Sequence, residues 1–238
     1  MNEERADRMN GYDTALIVGA GDGLSASLAR LLAREGVRVA LAARNVAKLA
    51  PLAQSFDAFT VACDAGEPDQ VVALFAAVDA AFGAPPDIVI YNASARVRGP
   101  LVELDPTAVA MAIRISAFGG FLVAQEAAKR MLPRGKGAIL FTGASASVKG
   151  YRYSAPFAMG KFALRGLAQS MARELAPQGI HVAHFVIDGA IRAAGRPEPS
   201  QDAHLAPEAI ARTYLDVLRQ DRSAWTWEVE LRPWVEVF

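Results

Sequence analysis

Ala15, Leu16, Ile17 and Val18 form a short apolar run that ends in glycine. A run apolar at every residue fits a strand buried on both faces of a parallel sheet. The turn Gly19-Ala20-Gly21-Asp22-Gly23 follows, and Leu24, Leu28, Leu31 and Leu32 then recur at helical spacing. Gly36 closes that helix, and Val37-Arg38-Val39-Ala40-Leu41 reads as a second strand. Strand, glycine turn, helix and strand in immediate succession make a βαβ unit. Few folds can be built from such a beginning.

The alternation continues. Residues 45–55 read as a helix, 58–62 as a strand, and 67–82 as a helix with Val71, Leu74, Phe75 and Val78 on one stripe. Residues 87–91 read as the fourth strand, 105–131 as a long helix with Pro106 at its first position, and 137–141 as the fifth strand. Pro156 opens a further helix that runs to about Pro177, since its missing N–H would be unpaired there anyway. The sixth strand is 180–186, a helix spans 207–219, and 225–231 is the last strand. This pattern predicts an α/β fold: a single-domain Rossmann-type doubly wound parallel sheet of about seven strands, with helices on both faces. We assign residues 14–238 to that dinucleotide-binding domain and 1–13, mostly polar, to a mobile N-terminal tail. With 238 residues and 53% hydrophobic side chains, one large core is expected.

Composition excludes several other classes. Formal net charge is zero, which gives no electrostatic case for nucleic acid. Cys63 is the single cysteine, so no intrachain disulfide and no cysteine metal cage is expected, and a cytoplasmic setting is the default. No run reads as the ~20 apolar residues of a membrane span, and none as a signal peptide. His181 and His184 lie at odd spacing on one strand and face opposite ways, so with His204 they make no metal triad. No Ser–His–Asp order is legible.

Gly19, Gly21 and Gly23 sit between a strand and a helix, where backbone N–H groups and a helix N-terminus can face a pyrophosphate. After the second strand, an NAD site would place an acid against the ribose hydroxyls. Here stand Ala42, Ala43 and Arg44. Arginine matches a phosphate with two parallel bonds, which favours NADP(H) over NAD(H). Asp22, an acid inside the turn, points the other way.

These features, with Phe157-Ala158-Met159-Gly160-Lys161 and Tyr91-Asn92-Ala93-Ser94, resemble the short-chain dehydrogenase/reductase family over residues 14–238. The family's glycine motif is Thr-Gly-x-x-x-Gly-x-Gly. Gly19 and Gly23 fill its first two glycine places, Val18 replaces the threonine and Ser25 the last glycine. Leu24 follows directly. The resemblance makes Asp64 the adenine contact and Asn92-Ala93 the remnant of Asn-Asn-Ala-Gly. Gly189 and Ile191 match the loop that holds the nicotinamide amide, although Asp188 replaces its proline and Ala193 its threonine.

The family's catalytic tetrad is tyrosine, lysine, serine and asparagine. Lys161 occupies the lysine place, and Phe157, on the same helix face, stands where the tyrosine belongs. Ala144 falls on the serine place with Ser145 beside it, and Ser116 falls on the asparagine place. Tyr153-Ser154-Ala155 mimics the start of the motif but fails its spacing. Tyr153 would reach the site only from the preceding loop, and Tyr151 less readily. Asp188 is a carboxylate near the site and open to acid–base work, with a loop hydrogen bond as its competing role. The pattern resembles a divergent subgroup with phenylalanine for tyrosine. It implies an NAD(P)(H)-dependent oxidoreductase acting on a carbonyl or alcohol, with a small-molecule substrate and no metal. The alternative is a cofactor-binding protein without turnover, acting as a sensor or assembly subunit. The resemblance also implies a homodimer or homotetramer, pairing through the helices at 105–131 and 155–177. Their small residues are Ala108, Ala112, Ser116 and Gly119 on the first, and Ala163, Gly166 and Ser170 on the second.

Overall fold

The computed structural model describes residues 9–236. Strands β1 (Thr14–Val18), β2 (Arg38–Ala43), β3 (Phe59–Ala62), β4 (Ile88–Tyr91), β5 (Gly137–Thr142), β6 (Ile180–Ile187) and β7 (Glu228–Leu231) form one sheet. Its order is β3-β2-β1-β4-β5-β6-β7, and every neighbouring pair is parallel. This is the doubly wound sheet expected from the alternation. Strand order reverses between β1 and β4, which opens a crevice beyond their carboxyl ends.

Alternate strand residues feed two cores. Ile17, Leu41, Ile90 and Phe185 face helices α1 (Leu24–Arg34) and α7 (Pro207–Leu218). Val18, Ala42, Tyr91 and Phe141 face α3 (Pro68–Phe82), α5 (Gly119–Met131) and α6 (Ala155–Leu175). The expected helix at 45–55 is instead a 3₁₀ turn, Val46–Leu49, and a short α2 (Ala50–Gln54), with Asn45 accepting the Ala47 N–H at 3.1 Å. The last strand starts at Glu228 rather than 225. Trp225 stacks on His181 at 4.5 Å, and the Thr226 carbonyl lies 2.9 Å from His181 Nε2, so this stretch caps the sheet edge instead of extending it.

The long helix carries a defect. Helix α4 (Pro106–Ile113) passes through a π turn, Arg114–Phe118, before becoming α5. Tyr91 donates its hydroxyl to the Ile115 carbonyl inside that turn. A Cβ on Gly119 would come within 2.5 Å of the same hydroxyl, and one on Gly120 within 3.5 Å of the Tyr91 ring. The Gly119-Gly120 pair therefore leaves room for a tyrosine at a strand end, and π turns commonly mark functional regions.

Two expectations need correction. Met9 and Tyr12 are buried, and Tyr12 donates to the Gly137 carbonyl at 3.3 Å, so 9–13 belongs to the body rather than to a mobile tail. Residues 1–8 and 237–238 lie outside the described residues. Second, the continuous helix Pro106–Arg134 is 29 residues long with hydropathy 1.7, long and apolar enough to cross a membrane by length and composition. It is apolar on two faces. Val123, Ala124, Ala127 and Met131 pack into the sheet core, while Met111, Phe118 and Phe121 stay exposed. Of the two small stripes, the first is largely used within the chain, since Ala112, Ser116 and Gly119 are buried and Ser116 Cβ would lie 2.7 Å from a Cβ on Gly160 of α6, whereas Ala163, Gly166 and Ser170 of the second are exposed.

Asp87 anchors the start of the sheet. Its carboxylate accepts from the N–H groups of Asp13 and Thr14 at 2.9 and 3.2 Å, and from Arg134 Nη1 at 2.9 Å. Asp87→Ala orphans two backbone donors and leaves Arg134 only the carbonyls of Pro85 and Pro86, so chemical denaturation should show a loss of about 3 kcal/mol. Arg134→Ala, which removes the more exposed partner, should lose roughly 1 kcal/mol or less. Equal losses would mean that the backbone donors are not what Asp87 holds.

Candidate active site

Three adjoining clefts meet at the crevice and share Asn92 and Ser94. The first, about 350 Å³, lies beyond β1 and β2 and is lined by Gly19, Gly21, Asp22, Arg44, Asp64 and Ala93. The second, about 290 Å³, runs along Gly23, Leu24 and Ser25 to Ile191. The third, about 750 Å³, holds Ala144, Ser145, Phe157, Lys161, Gly189 and Ile191. Every residue assigned to the cofactor from sequence lines this trough.

The glycine turn has room for an anion. A Cβ on Gly21 or Gly23 would meet nothing within 4 Å. Gly23 caps α1 with no side-chain hydrogen bond, so the first N–H groups of that helix face the cleft unclaimed. Gly19 has φ +84, and a side chain there would collide with the Ala93 backbone. Ser25 is buried rather than pushed outward. Its hydroxyl donates to the Gly19 carbonyl at 3.3 Å and accepts from Asn92 Nδ2 at 2.5 Å, so serine ties β1, α1 and the β4 loop together. At the far end, Arg44 is exposed beside Lys48, a second cation that spacing did not single out.

Lys161 is 3% exposed and donates to the Thr142 carbonyl at 2.7 Å. Burial, reinforced by the positive charge of Arg96, pulls its pKa down to about 7. Its Nζ lies 5.9 Å from the Phe157 ring centroid, and Arg96 covers the same ring at 4.4 Å. Thr142, two residues before the serine place at Ala144, also bonds Tyr214 at 2.8 Å. Asp188 does not face the cavity. Burial would raise its carboxyl, but the Ser145 hydroxyl and the Lys149 ammonium outweigh that and hold it below the usual range. It ties Ser145 and Lys149 to the end of β6.

Ser116 departs from the expected arrangement. It is fully buried, lines none of the three clefts, and accepts the Ala95 N–H at 3.1 Å. Ser116 thus shapes the loop after β4 from behind. Tyr153, at φ +63, is exposed and bonds Arg152, whereas Tyr151 is the tyrosine that lines the cavity. The structure also assembles Ser147, His184 and Glu228, at 3.3 Å and 3.0 Å, in the order of a hydrolytic triad. Both Ser147 and His184 are fully buried, and Ser147 Oγ already takes the Ala144 N–H at 3.1 Å. Burial, against the pull of Glu228, holds the imidazole at about 4 and therefore neutral. This trio braces the loop that carries Ala144 and has no access to substrate. Among the described residues, no group of three or more His, Cys, Asp or Glu could hold a metal ion.

Residues 13–203 match the family model for short chain dehydrogenases, and the chain belongs to the short-chain dehydrogenase/reductase family. A short-chain dehydrogenase from Rhodopseudomonas palustris shares 38% identity, with 93% of this chain and 99% of that chain covered and a TM-score of 0.81. A metagenomic short-chain oxidoreductase solved in complex with NADP shares 27% identity over 93% and 97% of the two chains, with a TM-score of 0.82. The gluconate 5-dehydrogenase of Gluconobacter oxydans is 31% identical over 173 residues, 71% of this chain and 67% of that enzyme.

The low pKa of Lys161 has a measurable consequence. Unfolded, a lysine keeps its proton up to about 10.5; folded, Lys161 releases it near 7. Between these values the unfolded chain binds more protons, so stability rises with pH through that window and the penalty is full below it. Measured against Lys161→Met by denaturant titration, the parent should gain stability steadily from pH 7 toward 10.5. A pH-independent difference would place the amine in water.

Proposed function

We propose that the chain is an NADP(H)-dependent oxidoreductase acting on the carbonyl or alcohol group of a small molecule, with an altered proton donor. The observation that carries this reading is the continuous trough from Arg44, past the open glycine turn, to Lys161 and Phe157. The NADP bound by the metagenomic relative supports it. In this reading Gly19, Gly21, Gly23 and Leu24 hold the pyrophosphate, and Asp64, Asn92 and Ala93 flank the adenosine half. Arg44 takes the 2′-phosphate, and Gly189 and Ile191 border the nicotinamide. Bound in the trough, the reduced nicotinamide supplies a hydride.

Phe157 has no proton to give, and Ala144 has no hydroxyl for the substrate oxygen. Asp188 stays ionised. Lys161, titrating near 7, is the group beside Phe157 placed to protonate an oxygen at neutral pH, and a donor tuned to the working pH is efficient. Ser145 lines the same cavity as a hydrogen-bonding group. The reading includes a homodimer or homotetramer, because Met111, Phe118 and Phe121 on one helix, and Met159 and Phe162 on α6, are exposed. It places the protein, whose one cysteine is buried, in the cytoplasm.

The test is thermal stabilisation by NADPH and NADH side by side, followed by loss of reduced-nicotinamide absorbance with a panel of carbonyls. Saturation at ~100 Kd adds about 2.7 kcal/mol of stability. NADPH should stabilise more than NADH, and Arg44→Ala should remove that advantage while leaving the NADH response intact. Equal loss for both nucleotides would sink the role of Arg44, and no response to either would sink the reading.

A further inference from the structure

The third cleft has an uneven charge lining. Arg96, Arg98, Arg152, Lys161 and Arg196 face it, against the single acid Glu236. Several arginines elsewhere in the described structure hold carboxylates, among them Arg114 with Glu67, Arg130 with Asp79 and Glu126, Arg134 with Asp87, and Arg165 with Glu228, while Arg38 and Arg173 hold backbone carbonyls. Among the described residues, none of the four cavity arginines is in an ion pair. Arg152 bonds only the neighbouring Tyr153 hydroxyl, Arg196 a backbone carbonyl, and Arg96 lies over the Phe157 ring.

The fold positions these groups deliberately in one place. The segment 95–99 is pinned at both ends, by the Ala95 N–H on Ser116 Oγ at 3.1 Å and the Gly99 N–H on the Tyr153 carbonyl at 3.2 Å. Arg96 and Arg98, two residues apart on that segment, both line the cavity. The second contact brings in the loop that carries Arg152. Burial and the charges of Arg98 and Arg196 lower the pKa of Arg96, a sign that the group lacks a counter-charge. Arg196 also lines the cleft of the glycine turn, so it stands between the two regions; Arg96, Arg98 and Arg152 do not line that cleft. Concave sites lined by one sign of charge concentrate the opposite ion, and guanidinium forks fit carboxylate and phosphate oxygens.

We propose that this cavity recognises an oxyanionic substrate: a small carbonyl compound, or its alcohol, bearing a carboxylate or phosphate held by Arg98 and Arg152 with Arg96 beside Phe157. The anion pocket stands on the arginines alone, while the reacting carbonyl rests on the function proposed above. In the reducing direction one hydride reaches the carbonyl carbon from the reduced nicotinamide and one proton reaches the oxygen, giving the alcohol and the oxidised nucleotide.

The test uses the full chain and two matched pairs of probes, 4-carboxybenzaldehyde with benzaldehyde and dihydroxyacetone phosphate with dihydroxyacetone. Binding is measured calorimetrically with saturating NADP⁺ and again without nucleotide. At least one anionic probe should bind about tenfold or more tightly than its neutral partner, the worth of one or two charged hydrogen bonds. That advantage should fall with added potassium chloride, disappear in Arg98→Gln with Arg152→Gln, and return in part in Arg98→Lys with Arg152→Lys. The pair that shows the advantage distinguishes carboxylate from phosphate. Equal binding within both pairs, or an advantage that ignores salt and survives the glutamine variants, overturns the proposal. The two readings fail separately. Nucleotide binding without an anion advantage removes only the anion pocket. An arginine-dependent anion advantage in a chain that ignores both nucleotides removes the oxidoreductase reading and leaves the pocket.

Discussion

The Lys161 ammonium against the Thr142 carbonyl is the contact on which the site depends. A buried amine with one backbone acceptor is costly, and it is tolerated only where the surroundings hold its partner still. Thr142 is gripped from the opposite face of the sheet, where its hydroxyl meets Tyr214 of α7, itself stacked on Phe185 at 3.5 Å. Lys161 is delivered from the near face by α6, whose Leu164 and Ala168 are fully buried. Gly160 lets that helix close on Ser116. One polar contact thus joins both layers of the fold at the carboxyl end of β5.

Where residues differ from the pattern that the resemblance assigns, the structure gives them local partners. Ser25 replaces a glycine and becomes a hydrogen-bonded clasp between Gly19 and Asn92. Tyr91 replaces an asparagine and is accommodated by Gly119 and Gly120 while bonding the π turn. Asp188 replaces a proline and gathers Ser145 and Lys149. A Cβ on Gly143 would strike His184, whose trio with Ser147 and Glu228 stiffens the loop bearing Ala144. These contacts leave the trough open. On the function proposed above, proton delivery would fall to Lys161, and the proposed anion pocket would assign substrate choice to the arginines.

The strands were legible because burial on both faces writes them as continuous apolar runs, and the glycine turn because its task needs backbone access at fixed spacing. The π turn was not legible, since nothing in local spacing marks one extra residue in an apolar helix. The resemblance puts Ser116 on the asparagine place by register from Phe121, whereas in the structure it lies within the π turn, behind the loop at Ala95. Arg96, Arg98, Arg152 and Arg196 come from three loops that only the fold brings together. Met9 and Tyr12 were hidden by their charged neighbours in sequence.

On the function proposed above, a single hydroxyl added at Phe157, beside the Lys161 amine, would supply a better-placed proton donor than Lys161 alone. The most direct measurement is kcat for NADPH-dependent reduction of an activated carbonyl by Phe157→Tyr against the parent. A phenol there should be shifted toward its phenolate by the neighbouring charge, and kcat should rise on the order of 10²-fold. The gain should vanish when Lys161→Ala is added. A Phe157→Tyr protein that folds, binds NADPH as the parent does and turns over no faster would mean that Phe157 does not stand at the proton-donor position.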